Sequence, residues 1–77
     1  MWDRFTLYDK DGNKIITRSM AQHIQWSIIE HGLLEGDNAD CQYTVVSRIS
    51  GHKLQVDKTT TMEQWRNYAD KCLMALD

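Results

Sequence analysis

The chain has 77 residues, with nine Lys and Arg, eleven Asp and Glu, and a formal net charge of −2. This length predicts a single domain over residues 1–77, and the charge balance gives no reason to expect nucleic acid or a polybasic membrane patch. The longest apolar run, Cys72 to Leu76, is far shorter than the roughly 20 residues that span a bilayer. We expect a cytoplasmic protein, because the first residues lack a signal peptide's apolar stretch and free cysteines are typical of reducing compartments.

Two helices are predicted in the first half of the chain. Aromatic residues recur at every third position of residues 2–8, which predicts a short amphipathic helix there. The polar residues 9–14 favour a loop, because Asp, Gly and Asn are turn formers. An apolar stripe then predicts a second helix over about residues 18–31, with Gly32 ending it.

Two more helices are predicted in the second half. Cys41, Val45 and Ile49 repeat at a spacing of four, which predicts a helix that starts near Asp37 or Asn38 and ends near Ser50. A loop follows, and Asp57 is expected to cap a last helix that reaches about Leu76. The outline of four helices and two loops predicts an all-α fold. A weak repeat of loop, β-branched residue, cap and helix occurs at residues 9–18 and 49–58.

Oxygen-bearing residues alternate along the first loop. Calcium takes six to eight oxygen ligands, and in EF-hand loops these come from alternate positions, with a backbone carbonyl at the seventh. With Asp9 at position one, the ligands fall at regular intervals up to position nine. The expected metal ligands are the side chains of Asp9, Asp11 and Asn13, the carbonyl of Ile15, and Thr17 directly or through water.

The stretch from Phe5 to Asn13, with its aromatic residues before the alternating oxygens, resembles the EF-hand calcium-binding family. The resemblance implies one EF-hand pair with a first loop at about residues 9–20 and a degenerate second loop at about residues 49–60. It also implies a short β-bridge in which Ile16 pairs with Val56. The long linker and poor second loop further resemble the N-terminal half of invertebrate sarcoplasmic calcium-binding and calexcitin-like proteins.

Departures from the EF-hand pattern weaken the expected site. Position six is Lys14 instead of Gly, and position twelve is Met20 instead of a bidentate Glu. Lys10 and Lys14 also offset the two acidic ligands. We therefore expect weak calcium binding, with a Kd on the order of 10⁻⁴–10⁻³ M. The second loop, whose acidic residue is Asp57, is expected to bind no metal.

The cysteines and histidines suggest neither zinc nor catalysis. Zinc sites favour close pairs of ligands, and no nucleophile signature surrounds either cysteine. We therefore expect core thiols, surface imidazoles and no enzymatic activity. The residues concerned are Cys41, Cys72, His23, His31 and His52.

Tryptophan and methionine residues suggest a surface for a protein partner. Each of them alone is explained by an ordinary core, but a domain this small is expected to leave some of them exposed. Such a surface would contact a target helix or another EF-hand pair. The residues are Met20, Trp26, Met62, Trp65 and Met74.

Two functional hypotheses follow. The first is a non-enzymatic EF-hand calcium buffer or sensor, in which calcium is held weakly by the first loop. The alternative is a calcium-independent adaptor or structural subunit that docks through an apolar face.

Overall fold

Two β-hairpins and two α-helices form the fold, in the order ββαββα, in a computed structural model that describes residues 4–74. The predicted all-α fold of one EF-hand pair with four helices is therefore wrong. The elements are β1 (Phe5–Asp9), β2 (Lys14–Arg18), α1 (Ala21–Glu30), β3 (Tyr43–Ser47), β4 (Lys53–Val56) and α2 (Met62–Met74), with a 3-10 turn at Gly36–Asn38.

The segment predicted as the first helix forms strand β1. Phe5 and Leu7 share the face that packs in the apolar core, as strand geometry requires of alternate residues, whereas Thr6 between them is buried on the other face of this central strand. The Asp-Gly pair that follows is a strong hairpin signal, and Gly12 adopts a φ of +85°, which glycine tolerates without steric cost. Trp2 lies outside the described residues.

The segment predicted as the third helix forms strand β3. Tyr43, Val45 and Ser47 are buried, while the residues between them are half-buried. Aromatic and β-branched residues favour strands, and they fill this segment. The spacing of four between Cys41, Val45 and Ile49 therefore does not reflect a helix.

Helix α1 confirms the helix predicted over residues 18–31, although it begins at Ala21. Its buried face consists of Ala21, Ile24, Ser27 and Ile28. Gly32 follows the helix with a φ of +62°, and the N–H of the next residue, Leu33, donates to the carbonyl of Ile28 at 3.0 Å. This Schellman arrangement explains why the helix ends where the glycine predicts.

Helix α2 begins at Met62, later than the cap predicted at Asp57. The Asp57 carboxylate instead accepts a hydrogen bond from the N–H of Thr59 at 2.8 Å, within a turn. Thr61 caps the helix: its hydroxyl accepts the N–H of Gln64 at 3.2 Å, and the Gln64 side chain accepts the N–H of Thr61 at 2.8 Å. This reciprocal pair is a capping box.

The four strands form one antiparallel sheet in the order β2-β1-β3-β4. The central pair is β1 and β3, in which Leu7 lies opposite Val45. Ile16 lies on β2 and Val56 on β4, so the predicted bridge between them is wrong. Each hairpin pairs its own two strands, which places these two residues on opposite edges of the sheet.

Both helices pack on one face of the sheet and enclose a single apolar core. The ring of Tyr68 meets Phe5 edge to face, with ring centroids 5.9 Å apart, and its hydroxyl donates to the carbonyl of His52 at 2.8 Å. Neither described helix is long and apolar enough to cross a membrane. The core residues are Phe5, Leu7, Ile16, Ala21, Ile24, Ile28, Tyr43, Val45, Val56, Trp65, Tyr68 and Cys72.

The fold consists of two similar ββα units. Residues 5–30 form the first and residues 43–74 the second, and the antiparallel pair of β1 and β3 joins them. An approximate two-fold axis therefore passes between Leu7 and Val45.

Residues 9–18 and 49–58, the weak sequence repeat, each include a hairpin turn and the second strand of a unit. The caps expected within the repeat at Thr17 and Asp57 are wrong, because α1 begins at Ala21 and α2 is capped by Thr61.

Candidate docking groove between the helices

The first predicted calcium ligands lie in the turn between β1 and β2. One carboxylate oxygen of Asp9 accepts the backbone N–H groups of Asp11 and Asn13, each at 2.9 Å, and the other accepts the Asn13 side-chain amide at 3.2 Å. These hydrogen bonds, led by the one from the Asn13 backbone, lower the pKa of Asp9. The carboxylate thus stabilises the hairpin turn.

The other two predicted ligands lie on β2. Ile15 is the extra residue of a bulge, because Leu7 pairs with Ile16 whereas Tyr8 pairs with Lys14. Thr17 lies opposite Thr6, further along the strands from the turn. The structure therefore joins the side chains of Asp9 and Asn13 and the backbone of Asp11, but it leaves Thr17 apart from them.

No group of three or more His, Cys, Asp and Glu side chains in residues 4–74 is arranged to hold a metal ion. Cys41 is half-buried and Cys72 is buried, and both are free thiols. His23 lies beside Trp26 on α1, with ring centroids 6.0 Å apart. Calcium binding at Asp9 to Thr17 stays a prediction.

Helices α1 and α2 run in opposite directions over the sheet and leave an apolar groove between them. At one end, Ala21 and Gln22 of α1 face Ala69 and Leu73 of α2. Further along, Gln25 of α1 faces the start of α2. We call this channel the interhelical groove; a small residue, Ala21 or Ala69, stands on each of its two walls.

The first section of the groove is the most apolar. It is a cavity of about 160 Å³ between the start of α1 and the end of α2. Three large apolar side chains at its rim are half exposed: Met20 by 50%, Ile49 by 50% and Leu73 by 54%. Removing water from such side chains lowers the free energy of the system, so this end favours an apolar ligand.

The middle section carries a single charged side chain, that of Arg66. Trp65 is buried beside it, whereas Met62 is exposed and its sulfur contacts the Gln25 amide. The section is continuous with the first through Ala21, Gln22 and Ala69, which line both.

The third section is polar at its outer end. Gln25 and Trp65 join it to the middle section, and Ile29 and Leu34 supply its apolar walls. Asp57, Lys58 and Glu35 close it. The groove therefore passes from a largely apolar end, where Arg4 is the charged lining residue, past Arg66 in the middle section, to a charged end.

The groove contains part of the predicted partner surface and several residues that the sequence did not single out for it. Met20, Met62 and Trp65 line it, whereas Trp26 is exposed on the outer side of α1; the side chain of Met74 lies outside the described residues. Arg66 and Leu73 were missed, because an antiparallel helix pair was not expected. The sequence signal that could have indicated this groove is the pair of small residues, Ala21 and Ala69, one on each wall.

These features define a small two-layer α+β protein, with an open interhelical groove on its helical side. No protein-family model, curated protein or solved structure matches the chain.

Proposed function

We propose that the chain is a non-enzymatic interaction module that binds an amphipathic helix of a partner protein in the interhelical groove. The observation that carries this proposal is the row of half-exposed apolar side chains, Met20, Ile49 and Leu73, above an apolar cavity. Apolar surface of this kind is typical of sites that bind another protein.

The shape of the groove favours a helix as the ligand. Its walls are two helices, and α1 has ten residues, which corresponds to about 15 Å. A helix laid along this length buries one apolar stripe while its polar face stays in water. Arg66, as the charged side chain of the middle section, favours a ligand with a carboxylate at that point.

The proposed setting is a reducing compartment such as the cytoplasm. Cys41 and Cys72 are free, and Cys72 lines the apolar end of the groove. Two free thiols are typical of such a compartment, where thiols are kept reduced.

The test uses helical peptides of roughly 15 to 20 residues, displayed as a library with apolar residues varied along one face. We expect selection against the folded chain to enrich peptides that shift the NMR signals of Ala21 and Ala69. Ala69→Glu should abolish their binding, because it places a charge in the groove. Asn67→Glu, at an exposed position of the same helix, is the matched control and should leave binding unchanged.

Failure to enrich any peptide would count against the proposal, as would enriched peptides that bind wild type and Ala69→Glu equally. Circular dichroism of each variant separates a loss of binding from a loss of folding. Arg66→Glu tests the preference for acidic ligands and should select peptides with a basic residue instead.

A further inference from the structure

The charged side chains are divided unevenly between the two layers. The strands and their hairpin turns, residues 4–18 and 43–56, carry six cationic and two anionic side chains. The helix-bearing segments, residues 19–42 and 57–74, carry three cationic and seven anionic side chains. The overall net charge of −2 therefore conceals a basic sheet layer under an acidic helical layer.

The sheet face turned away from the helices carries no acidic strand residue within residues 4–74. Side chains alternate along a strand, and directly paired residues share a face, so Thr6 and Tyr8 identify this side. We call it the outer sheet face. It consists of Thr6, Tyr8, Lys14, Thr17, Thr44, Val46, Lys53 and Gln55.

An aromatic ring lies between two lysines on this face. Tyr8 is half-buried on the central strand β1, with Lys14 opposite it on one edge strand. Lys53, on the other edge strand, lies opposite Val46. Both lysines are exposed. The arrangement offers one planar stacking surface with a cation on each side.

We propose that the outer sheet face binds single-stranded nucleic acid, with a base stacked on Tyr8 and phosphates beside Lys14 and Lys53. Four strands about 4.8 Å apart give a surface roughly 15 Å across, and four-stranded sheets with exposed aromatic residues bind two or three bases in other proteins. A second copy of the same face would be repelled by its like charge. This site goes beyond the interhelical groove, which lies on the opposite layer.

The charges at the two ends of the sheet predict the path that the phosphates take across it. Asp11 lies in the turn at one end of the sheet, and a carboxylate repels phosphate. The opposite end has Arg48, which directly follows β3. The phosphates are therefore expected to cross the sheet from Lys14 toward Lys53 and Arg48.

The first test is a fluorescence anisotropy titration of the full chain against a labelled deoxythymidine oligomer of about 12 nucleotides. We expect affinity to fall with salt, with a slope of about −1.4 in a plot of log K against log salt if two phosphates are neutralised. Lys53→Gln should make this slope shallower by about 0.7. The matched control, Lys71→Gln on the exposed side of α2, should leave it unchanged.

The second test separates stacking from charge. Tyr8→Ala should weaken binding by about 5- to 150-fold, because it removes the stacking surface, whereas Tyr8→Phe keeps the ring and should retain binding. Trp26→Ala removes an exposed aromatic ring from the helical layer and should have no effect. Circular dichroism checks that each variant is folded.

The proposal is overturned if no oligomer binds at about 50 mM salt, where phosphate contacts are strong. It is also overturned if Lys53→Gln and Lys71→Gln behave alike, or if Tyr8→Ala and Trp26→Ala do. Equal binding of a poly-glutamate peptide of the same charge would show attraction to acidic chains in general and would likewise refute a nucleic-acid site. None of these outcomes depends on the interhelical groove.

Discussion

Tyr68 joins the helical layer to the sheet through one hydroxyl group. It is buried, donates to the carbonyl of His52 at 2.8 Å and packs against Phe5. Tyr68→Phe removes the hydroxyl but keeps the ring, so we expect the free energy of unfolding to fall by about 1–2 kcal/mol. Urea unfolding measures this change, and Tyr8→Phe on the outer sheet face is the matched control.

The same residue predicts a loss of stability in alkali. Burial raises the pKa of Tyr68, because the phenolate would lose its hydration. Because the pKa of Tyr68 is higher in the folded state, its contribution to stability is fully present below the unfolded-state pKa of about 10. That contribution is lost as the pH rises further. The free energy of unfolding of Tyr68→Phe should therefore fall less steeply with rising pH than that of wild type. Identical alkaline profiles of the two proteins would contradict this prediction.

Asp9 predicts a loss of stability in acid. The hydrogen bonds of the turn, above all the one from the Asn13 N–H, lower the pKa of Asp9 in the folded state. Its contribution to stability is therefore present above the unfolded-state pKa of 3.8 and is lost as the pH falls through the folded-state pKa. Asp9→Asn keeps an oxygen acceptor but removes the charge. We expect the difference in unfolding free energy between wild type and variant to shrink between about pH 5 and pH 2. A difference that stays constant over that range would show that the ionised carboxylate does not stabilise the turn.

At the scale of the element, the start of α2 depends on one capping box. Thr61→Ala removes the hydroxyl that accepts the Gln64 N–H and should cost about 1 kcal/mol, whereas Thr61→Ser should cost little. Thermal unfolding followed by circular dichroism measures both. The double variant with Gln64→Ala should lose less than the sum of the single changes, because the two side chains act as a pair. Full additivity would argue against a reciprocal cap.

Some elements were predictable and others were not, for reasons visible in particular residues. The α1 helix follows from its stripe of Ile24 and Ile28 and from Gly32, because local periodicity and a local stop signal agree there. Strand β3 was missed because Val45 fits both a spacing of two and a spacing of four. Its aromatic and β-branched neighbours favoured the strand, but the expected pattern of loops outweighed them.

The candidate sites show the same limit. The sequence indicated that Met20 and Met62 belong to an apolar surface, since their chemistry is local. It did not indicate that they lie in one groove, because that requires the two helices to run antiparallel over a shared sheet. The charge of the sheet layer was hidden for the same reason: it emerges only when residues far apart in sequence are assigned to layers.

At the scale of the whole molecule, stability rests on one core that is shared by both ββα units. Leu7 is fully buried at the centre of the sheet. Leu7→Ala should cost about 2–5 kcal/mol, a large part of the roughly 4–12 kcal/mol available to a chain of this length. Leu73→Ala removes the same group from a half-exposed position and should change stability by less than about 0.5 kcal/mol. Equal effects in chemical denaturation would contradict the assignment of the core.

The pairing of β1 with β3 has a consequence for how the two units depend on each other. The ladder from Phe5 opposite Ser47 to Asp9 opposite Tyr43 needs no covalent continuity through residues 31–42. Peptides comprising residues 1–36 and 37–77 should each be unstructured alone, because neither can shield its own apolar side from water. Once mixed, they should reassociate into a bimolecular complex with the circular dichroism spectrum of the intact chain.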